Sequence, residues 1–175
     1  MDADLRIDSV GCEAIPEIKA IADVAFRNTY REILSAEQID YMMEWMYSEE
    51  SLKKQIVEDK NSFFVARVHG KLVGYAAIRP DNVTCSNDKS VFHLEKIYLL
   101  PECQGMGYGK QLLDRVCSYV KTLCGGKYRV ELNVNRNNGA RNFYEKMGFR
   151  IVHEGDFPIG NGFFMNDYIM AKDFQ

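Results

Sequence analysis

The sequence predicts a mixed α/β sheet of about seven strands flanked by about four or five helices. Three observations carry that prediction. Apolar residues recur at helical spacing over residues 14–57, then alternate or cluster as in strands from Phe63 onward. Later in the chain, single strand-like runs are each followed by a helix-like run, an order that a helical bundle does not show. One such strand meets its helix through Gln104-Gly105-Met106-Gly107-Tyr108-Gly109-Lys110, where glycines at every second position let the backbone turn tightly.

Residues 5–10 alternate weakly and read as a first strand. Residues 14–30 place Ile15, Ile18, Ile21, Ala22, Ala25 and Phe26 at helical spacing. Ser35, with Gln38 three residues on, has the spacing of a capping box and opens a second helix with Ile39, Met42, Met43 and Met46 as apolar positions. Ser48 and the pair Glu49-Glu50 open a short third helix through Val57, with acidic residues where they suit the helix dipole. Residues 63–68 and 72–78 flank His69-Gly70-Lys71 as a hairpin. Residues 80–89 are polar and turn-rich and predict a loop. Residues 91–100 form a third β run, which Pro101 ends. The glycine turn leads into a helix over 110–123, closed by Gly125-Gly126. Residues 129–134 are a strand. Asn137 or Asn138 caps a helix to about Met147, with Gly148 closing it. Residues 150–154 and 163–170 pair around Gly160-Asn161-Gly162, a strong turn signal. There is no linker or repeat, so residues 1–175 read as one domain.

Composition narrows the function classes. The net charge is -3 and the pI near 5.7, which argues against a nucleic-acid surface. No apolar stretch reaches the roughly 18–20 residues that cross a bilayer, so no membrane partner is expected. Residues 1–6 are charged and lack the apolar core of a signal peptide. Cys12, Cys85, Cys103, Cys117 and Cys124 show no C-x-x-C spacing, so neither a disulfide framework nor a metal site is expected. Reduced thiols imply a cytoplasmic protein.

A helix that starts after a glycine turn exposes unpaired N–H groups and a positive dipole end, a combination that binds phosphate. The spacing is not that of a dinucleotide fold, because the third glycine of G-x-G-x-x-G would fall one residue later. Glu131, 26 residues after Gly105, also lies too far on and too early in its strand to serve as the ribose-binding acid. A P-loop needs a hydroxyl after its lysine, and Gln111 follows Lys110. A turn kept only for packing is the remaining alternative.

The stretch 94–113 resembles motif A of the GNAT superfamily of acetyl-CoA-dependent N-acetyltransferases. The signature [RQ]-x-x-G-x-[GA] appears as Gln104-x-x-Gly107-x-Gly109 after an apolar strand and the pair Pro101-Glu102. The stretch 135–149, with Asn137, Ala140, Phe143, Tyr144, Lys146, Gly148 and Phe149, resembles motif B. Together with the element order, the resemblance covers most of the chain. It implies a GNAT-like sheet and acetyl-CoA as cosubstrate, with no metal. The pantetheine arm would pair with the open edge of the motif A strand at Ile97, Tyr98 and Leu99, a hydrogen-bonding template of the kind that extended ligands use. A backbone N–H near Ile97 or Tyr98 would face the thioester carbonyl. The pyrophosphate would sit on the N–H groups of Gly105, Met106, Gly107, Tyr108, Gly109 and Lys110, with Gln104 shaping the turn and Lys110 adding charge. Asn137 matches the family asparagine on the cofactor arm, and a helix N-cap is its other reading. Tyr144 matches the tyrosine near the cofactor sulfur, and simple packing is its other reading.

The implied reaction is direct acetyl transfer to a primary amine, such as a small-molecule acceptor, in a ternary complex. Tyr144 would donate to the departing thiolate. For a base, Glu95 and His93 lie two residues apart and share one side of a regular strand. The alternatives are a structural ion pair for Glu95 and a buried histidine for His93. Glu95 ranks first. GNAT acceptors usually bind between the early helices and the final hairpin. There Glu37, Asp40 and Glu44 form an acidic stripe that suits a cation, though a solvated face explains it as well. Residues 26–46 faintly resemble bacterial spermidine/spermine N-acetyltransferases. A protein or peptide N-acetyltransferase, a non-catalytic acetyl-CoA sensor and an interaction protein are competing readings. An exposed strand edge, or the Met42, Met43 and Met46 surface, would serve a homodimer, with a buried core face as the alternative for the methionines.

Overall fold

A computed structural model describes residues 4–82 and 90–175. The strands are β1 (Leu5–Val10), β2 (Ser62–Val68), β3 (Lys71–Asn82), β4 (Ser90–Leu99), β5 (Tyr128–Asn135), β6 (Arg150–Gly160) and β7 (Phe163–Phe174). The helices are α1 (Ile15–Tyr30), α2 (Ala36–Tyr47), α3 (Glu49–Val57), α4 (Tyr108–Cys124) and α5 (Ala140–Lys146). The strands form a seven-stranded sheet in the order β1-β2-β3-β4-β5-β7-β6. Neighbours are antiparallel except β4 and β5, which run parallel.

Side-chain alternation divides the core in two. On β2, Phe63 and Val65 join Ile18, Ala22 and Phe26 of α1 on one face. Phe64 and Ala66 join Leu112, Val116 and Val120 of α4 on the other. Ile18, Leu52 and Leu112 are fully buried, each contributing roughly 1.5–3 kcal/mol relative to exposure. Met42 belongs to the first core, with Met43 and Met46 packed against it, so these methionines face inward.

The expected elements are present, with informative differences at their ends. β3 runs on through Arg79 and Pro80, which pair with His93 and Phe92, where a loop is expected from Pro80. The remainder of that expected loop, with Cys85, lies outside the described residues, as do residues 1–3 of the N-terminal reading. β6 extends well past 154 because β7 pairs with it as far as Gly160, and β7 extends past 170 because β5 pairs with it as far as Phe174. α4 begins at Tyr108, two residues early, so Gly109 lies inside the helix. Ser35 Oγ accepts from Gln38 N at 3.1 Å as a cap should. The Gln38 side chain does not complete the box. Its Nε2 instead donates to Phe164 O at 2.7 Å, and Tyr41 OH donates to Ile159 O at 2.7 Å. These bonds fasten the tip of the β6–β7 hairpin to α2. Among the described residues, no helix is long and apolar enough to cross a membrane.

The feature that positions the site is a split in the sheet. β4 and β5 pair only from Ser90–Tyr128 to His93–Glu131. Beyond that point β4 stays on β3 as far as Leu99. β5 stays on β7 as far as Asn135–Asp167. A wedge opens between them. At its apex β4 carries a bulge: Ile78 pairs with Leu94 and Ala77 with Lys96, leaving Glu95 as the extra residue.

Candidate active site

The wedge encloses a cavity of about 720 Å³. β4 supplies one wall through Ile97, Tyr98 and Leu99, and β5 supplies Asn133 and Val134 opposite. Gln104, Gly105, Gly107, Gly109 and Lys110 close one end; Asn138, Phe143, Tyr144 and Met147 form a flank; Thr29 and Tyr30 reach in from α1.

The β4 wall offers backbone groups. Leu100 N–H donates to Val73 O at 2.9 Å. Since bonding alternates along an antiparallel strand, Tyr98 bonds to β3 as well, and the N–H and C=O of Ile97 and Leu99 face the wedge. Tyr98 therefore contributes its side chain, not its backbone. Gly105 (φ +76°) and Gly107 (φ +83°) hold left-handed conformations, and no atom lies within 4 Å of where a Cβ would stand on either. Gly107 caps α4 without any side-chain bond, so the first N–H groups of the helix remain for a ligand. Gly109 differs: a Cβ there would make only ordinary van der Waals contact, 3.5 Å from Phe143 and 3.6 Å from Leu99, so packing does not require glycine at this position.

Met106 and Tyr108 are expected to offer backbone N–H groups; their side chains, one 61% exposed and the other buried, do not line the cavity. Lys110 lines it but also pairs with Asp114 at 2.6 Å. Asn137 is exposed and outside the lining. Its neighbour Asn138 lines the cavity, and Asn138 Oδ1 accepts from Ala140 N at 3.0 Å, the capping bond expected at one of the two asparagines. Glu95 reaches the wedge only at the apex, and its carboxylate accepts from Arg79 Nε. The bulge turns Glu95 and Lys96 to the same side, where both line a second groove with Ser51, Lys54 and Gln55 of α3. The regular strand assumed for His93 and Glu95 is thus interrupted at Glu95. His93 does not line the wedge. Burial holds its imidazole below the ordinary range, with Glu95, Arg79, Asp81 and Glu131 around it. The acidic stripe is apart too: Asp40 pairs with Arg27 at 2.6 Å. Asp40 and Glu44 line a groove between α1 and α2, away from the wedge.

Tyr144 does lie in the cavity wall, buried among Phe143 and Phe149. Burial first, then the nearby Tyr30, pushes its phenol well above the usual range. It is therefore a protonated donor at any physiological pH. Tyr30 OH and Tyr98 OH, both in the lining of the wedge, stand 3.4 Å apart. Sequence reasoning did not find the side-chain role of Tyr98, nor Asn133, Asp167 or the buried Lys96. Lys96 Nζ donates to Gln55 Oε1 at 2.7 Å, and desolvation lowers its pKa to about 8. The only local signal was alternation on β5, where polar Glu131 and Asn133 interleave with core residues. Among the described residues, no group of three or more metal-binding side chains is present.

A model of the "Acetyltransferase (GNAT) family" matches residues 24–149. The chain belongs to this family. This GNAT chain is 31% identical over 159 residues to an uncharacterized N-acetyltransferase of Mycobacterium tuberculosis, covering 90% of this chain and 96% of that one. An uncharacterized N-acetyltransferase from Lactobacillus delbrueckii is 27% identical over 170 residues, 96% of each. Among solved structures, the PaiA N-acetyltransferase from Thermoplasma acidophilum in complex with coenzyme A superposes with a TM-score of 0.78 at 25% identity, covering 98% of this chain and 99% of that one. The protein is an acetyltransferase of the GNAT family with the mixed seven-stranded sheet its motifs imply.

Proposed function

We propose that this GNAT enzyme moves the acetyl group of acetyl-CoA to a primary amine, by direct attack with both substrates bound in the wedge. The observation that carries this reading is the split between β4 and β5 beside a turn of left-handed glycines. The two features suit the two ends of one ligand. The open edge at Ile97 and Leu99 suits an extended amide arm. Space over Gly105 and Gly107 beside unpaired helix N–H groups suits a pyrophosphate. The solved relative carrying coenzyme A at 25% identity supports the same donor.

When bound, acetyl-CoA supplies an activated thioester. The residues of this chain do the rest. The Ile97 backbone N–H lies on the open edge, where it can donate to a carbonyl oxygen that gains charge during attack. Tyr144, held protonated by its burial, can donate to a sulfur that gains charge on departure. A thiol titrates near ~8.5 and this phenol far higher, so stabilisation comes from the hydrogen bond, without full proton transfer. A primary amine titrates near ~10.4, so baring its lone pair at pH 7 costs roughly 4.6 kcal/mol. The open acceptor side between Tyr30, Tyr98 and Asn133 lets that proton leave to solvent.

The decisive experiment is a thiol-release assay with acetyl-CoA over polyamines, amino acids, peptides and aminoglycosides. Amine-dependent release is expected. Stabilisation by coenzyme A without release for any amine would point to an acetyl-CoA sensor instead.

A further inference from the structure

We propose that Asn133 and Asp167 form the seat for the acceptor's ammonium group at the acetyl end of the wedge; this rests on the acetyl-transfer reading above. Both residues lie on the sheet face opposite Leu132 and Val134, which point into the α4 core. Asn133 is exposed and lines the wedge. Its Nδ2 donates to Asp167 Oδ2 at 3.2 Å. That bond fixes which way the amide is turned. With the nitrogen committed to Asp167, the Asn133 Oδ1 is the atom presented away from it, as an acceptor for an N–H of the incoming amine.

Asp167 is 5% exposed, and its Oδ1 has no hydrogen-bond partner among the described residues. A buried carboxylate with one unbonded oxygen is costly for a fold to keep, and its presence beside a cleft calls for a reason. Burial raises the Asp167 carboxyl above its ordinary range, and Arg136, which acts on it electrostatically, directs its guanidinium to Asp156 at 2.6 Å and Glu154 at 4.0 Å. Tyr30, on the opposite wall of the acceptor side, lies within electrostatic reach of Asp167. A cation entering beside Asn133 meets an oriented amide oxygen backed by a negative charge. A neutral nucleophile meets only the amide. Asp167 acts as a positioning residue, and Asn133 makes the contact.

The test compares protonated acceptors, spermidine and n-butylamine, with hydroxylamine, which is neutral at pH 7. The readout is kcat/KM from thiol release for the wild type, Asp167→Asn and Asn133→Ala. Both variants should lower the preference for the protonated acceptors over hydroxylamine about tenfold or more, the scale of a hydrogen bond to a charged group, mainly through KM. Asn133→Ala truncates an exposed side chain, so it decides the matter if Asp167→Asn fails to fold. Equal losses for both acceptor classes, or none, overturn the seat. Wild-type release with hydroxylamine alone leaves the transferase reading standing and overturns the seat. No release with any nucleophile removes both.

Discussion

On the donor side of the wedge, the groups offered to a ligand are mostly backbone: the open edge of β4 at Ile97 and Leu99, and the turn at Gly105 and Gly107. On the proposed acceptor side they are side chains, brought together from α1 (Tyr30), β4 (Tyr98) and β5 (Asn133), with Asp167 of β7 behind Asn133. Backbone recognition requires particular φ values and an absent Cβ, so it leaves glycines at fixed spacing in one stretch of chain. Side-chain recognition requires only that four distant strands and helices meet. A GNAT chain can therefore keep its donor side legible while its acceptor side changes freely. The two sides should also fail differently when altered.

The largest expected loss joins the two sides. If Tyr144 donates to the departing sulfur as proposed, Tyr144→Phe should lower kcat by about 10²-fold or more. Its KM for acetyl-CoA should move little, because the ring still packs against Phe143 and Phe149. An unchanged kcat would leave Tyr144 a packing residue and reduce the donor side to binding alone.

The next largest isolates backbone recognition. Gly107→Ala imposes a side chain at φ +83°, and Gly70→Ala imposes one at φ +79° in the β2–β3 hairpin, both in open space. Each should lose about 1–2 kcal/mol of stability to the left-handed conformation. Only Gly107→Ala should also lose stabilisation by coenzyme A, which at 100 times Kd amounts to roughly 2.7 kcal/mol. Paired thermal melts with and without coenzyme A separate strain from lost binding. Equal behaviour of the two variants would show that the glycine turn serves the fold alone.

A smaller effect tests the side-chain half at the bulge. Burial lowers Lys96 from 10.5 to about 8. Between those values the unfolded chain holds more protons than the folded one, so stability rises with pH from about 8 to 10.5. Below about 8 the full penalty applies. The difference of about 2.5 units corresponds to roughly 3 kcal/mol, and losing the bond to Gln55 returns about 1 kcal/mol. Lys96→Met should thus gain about 2 kcal/mol at pH 7, with the gain fading toward pH 10.5, as read from urea melts at both ends. A gain independent of pH would mean that Lys96 is buried at no electrostatic cost.

Local patterns made the element order and the donor side readable. Ser35 and Ser48 cap the helices they precede, and the motif glycines sit in the turn. Strand ends were less readable, since β3 and β6 extend as far as their partners bond them. Asn138 occupies the wedge in place of Asn137, a one-residue difference fixed by how the chain leaves β5. The bulge at Glu95 was invisible, because it is a mismatch of register between β3 and β4 and not a property of β4 alone. Asn133 and Asp167 are 34 residues apart in the chain and meet only once β5 pairs with β7.

The smallest expected effect falls on Glu95, the residue ranked first as the base. Glu95 shares a side with His93, as expected, but the bulge turns Lys96 to that side as well, and the Glu95 carboxylate is held by Arg79. To reach an amine, the carboxylate would have to leave a charge-assisted bond to Arg79. Glu95→Gln keeps an oxygen for Arg79, so transfer to a primary amine should fall by less than about threefold, with the pH–rate profile unmoved. Loss of an acidic limb in that profile, with a much larger fall in rate, would return the base to Glu95. The acceptor side would then be governed by β4 itself, and its chemistry would have been as local in the sequence as the donor side is.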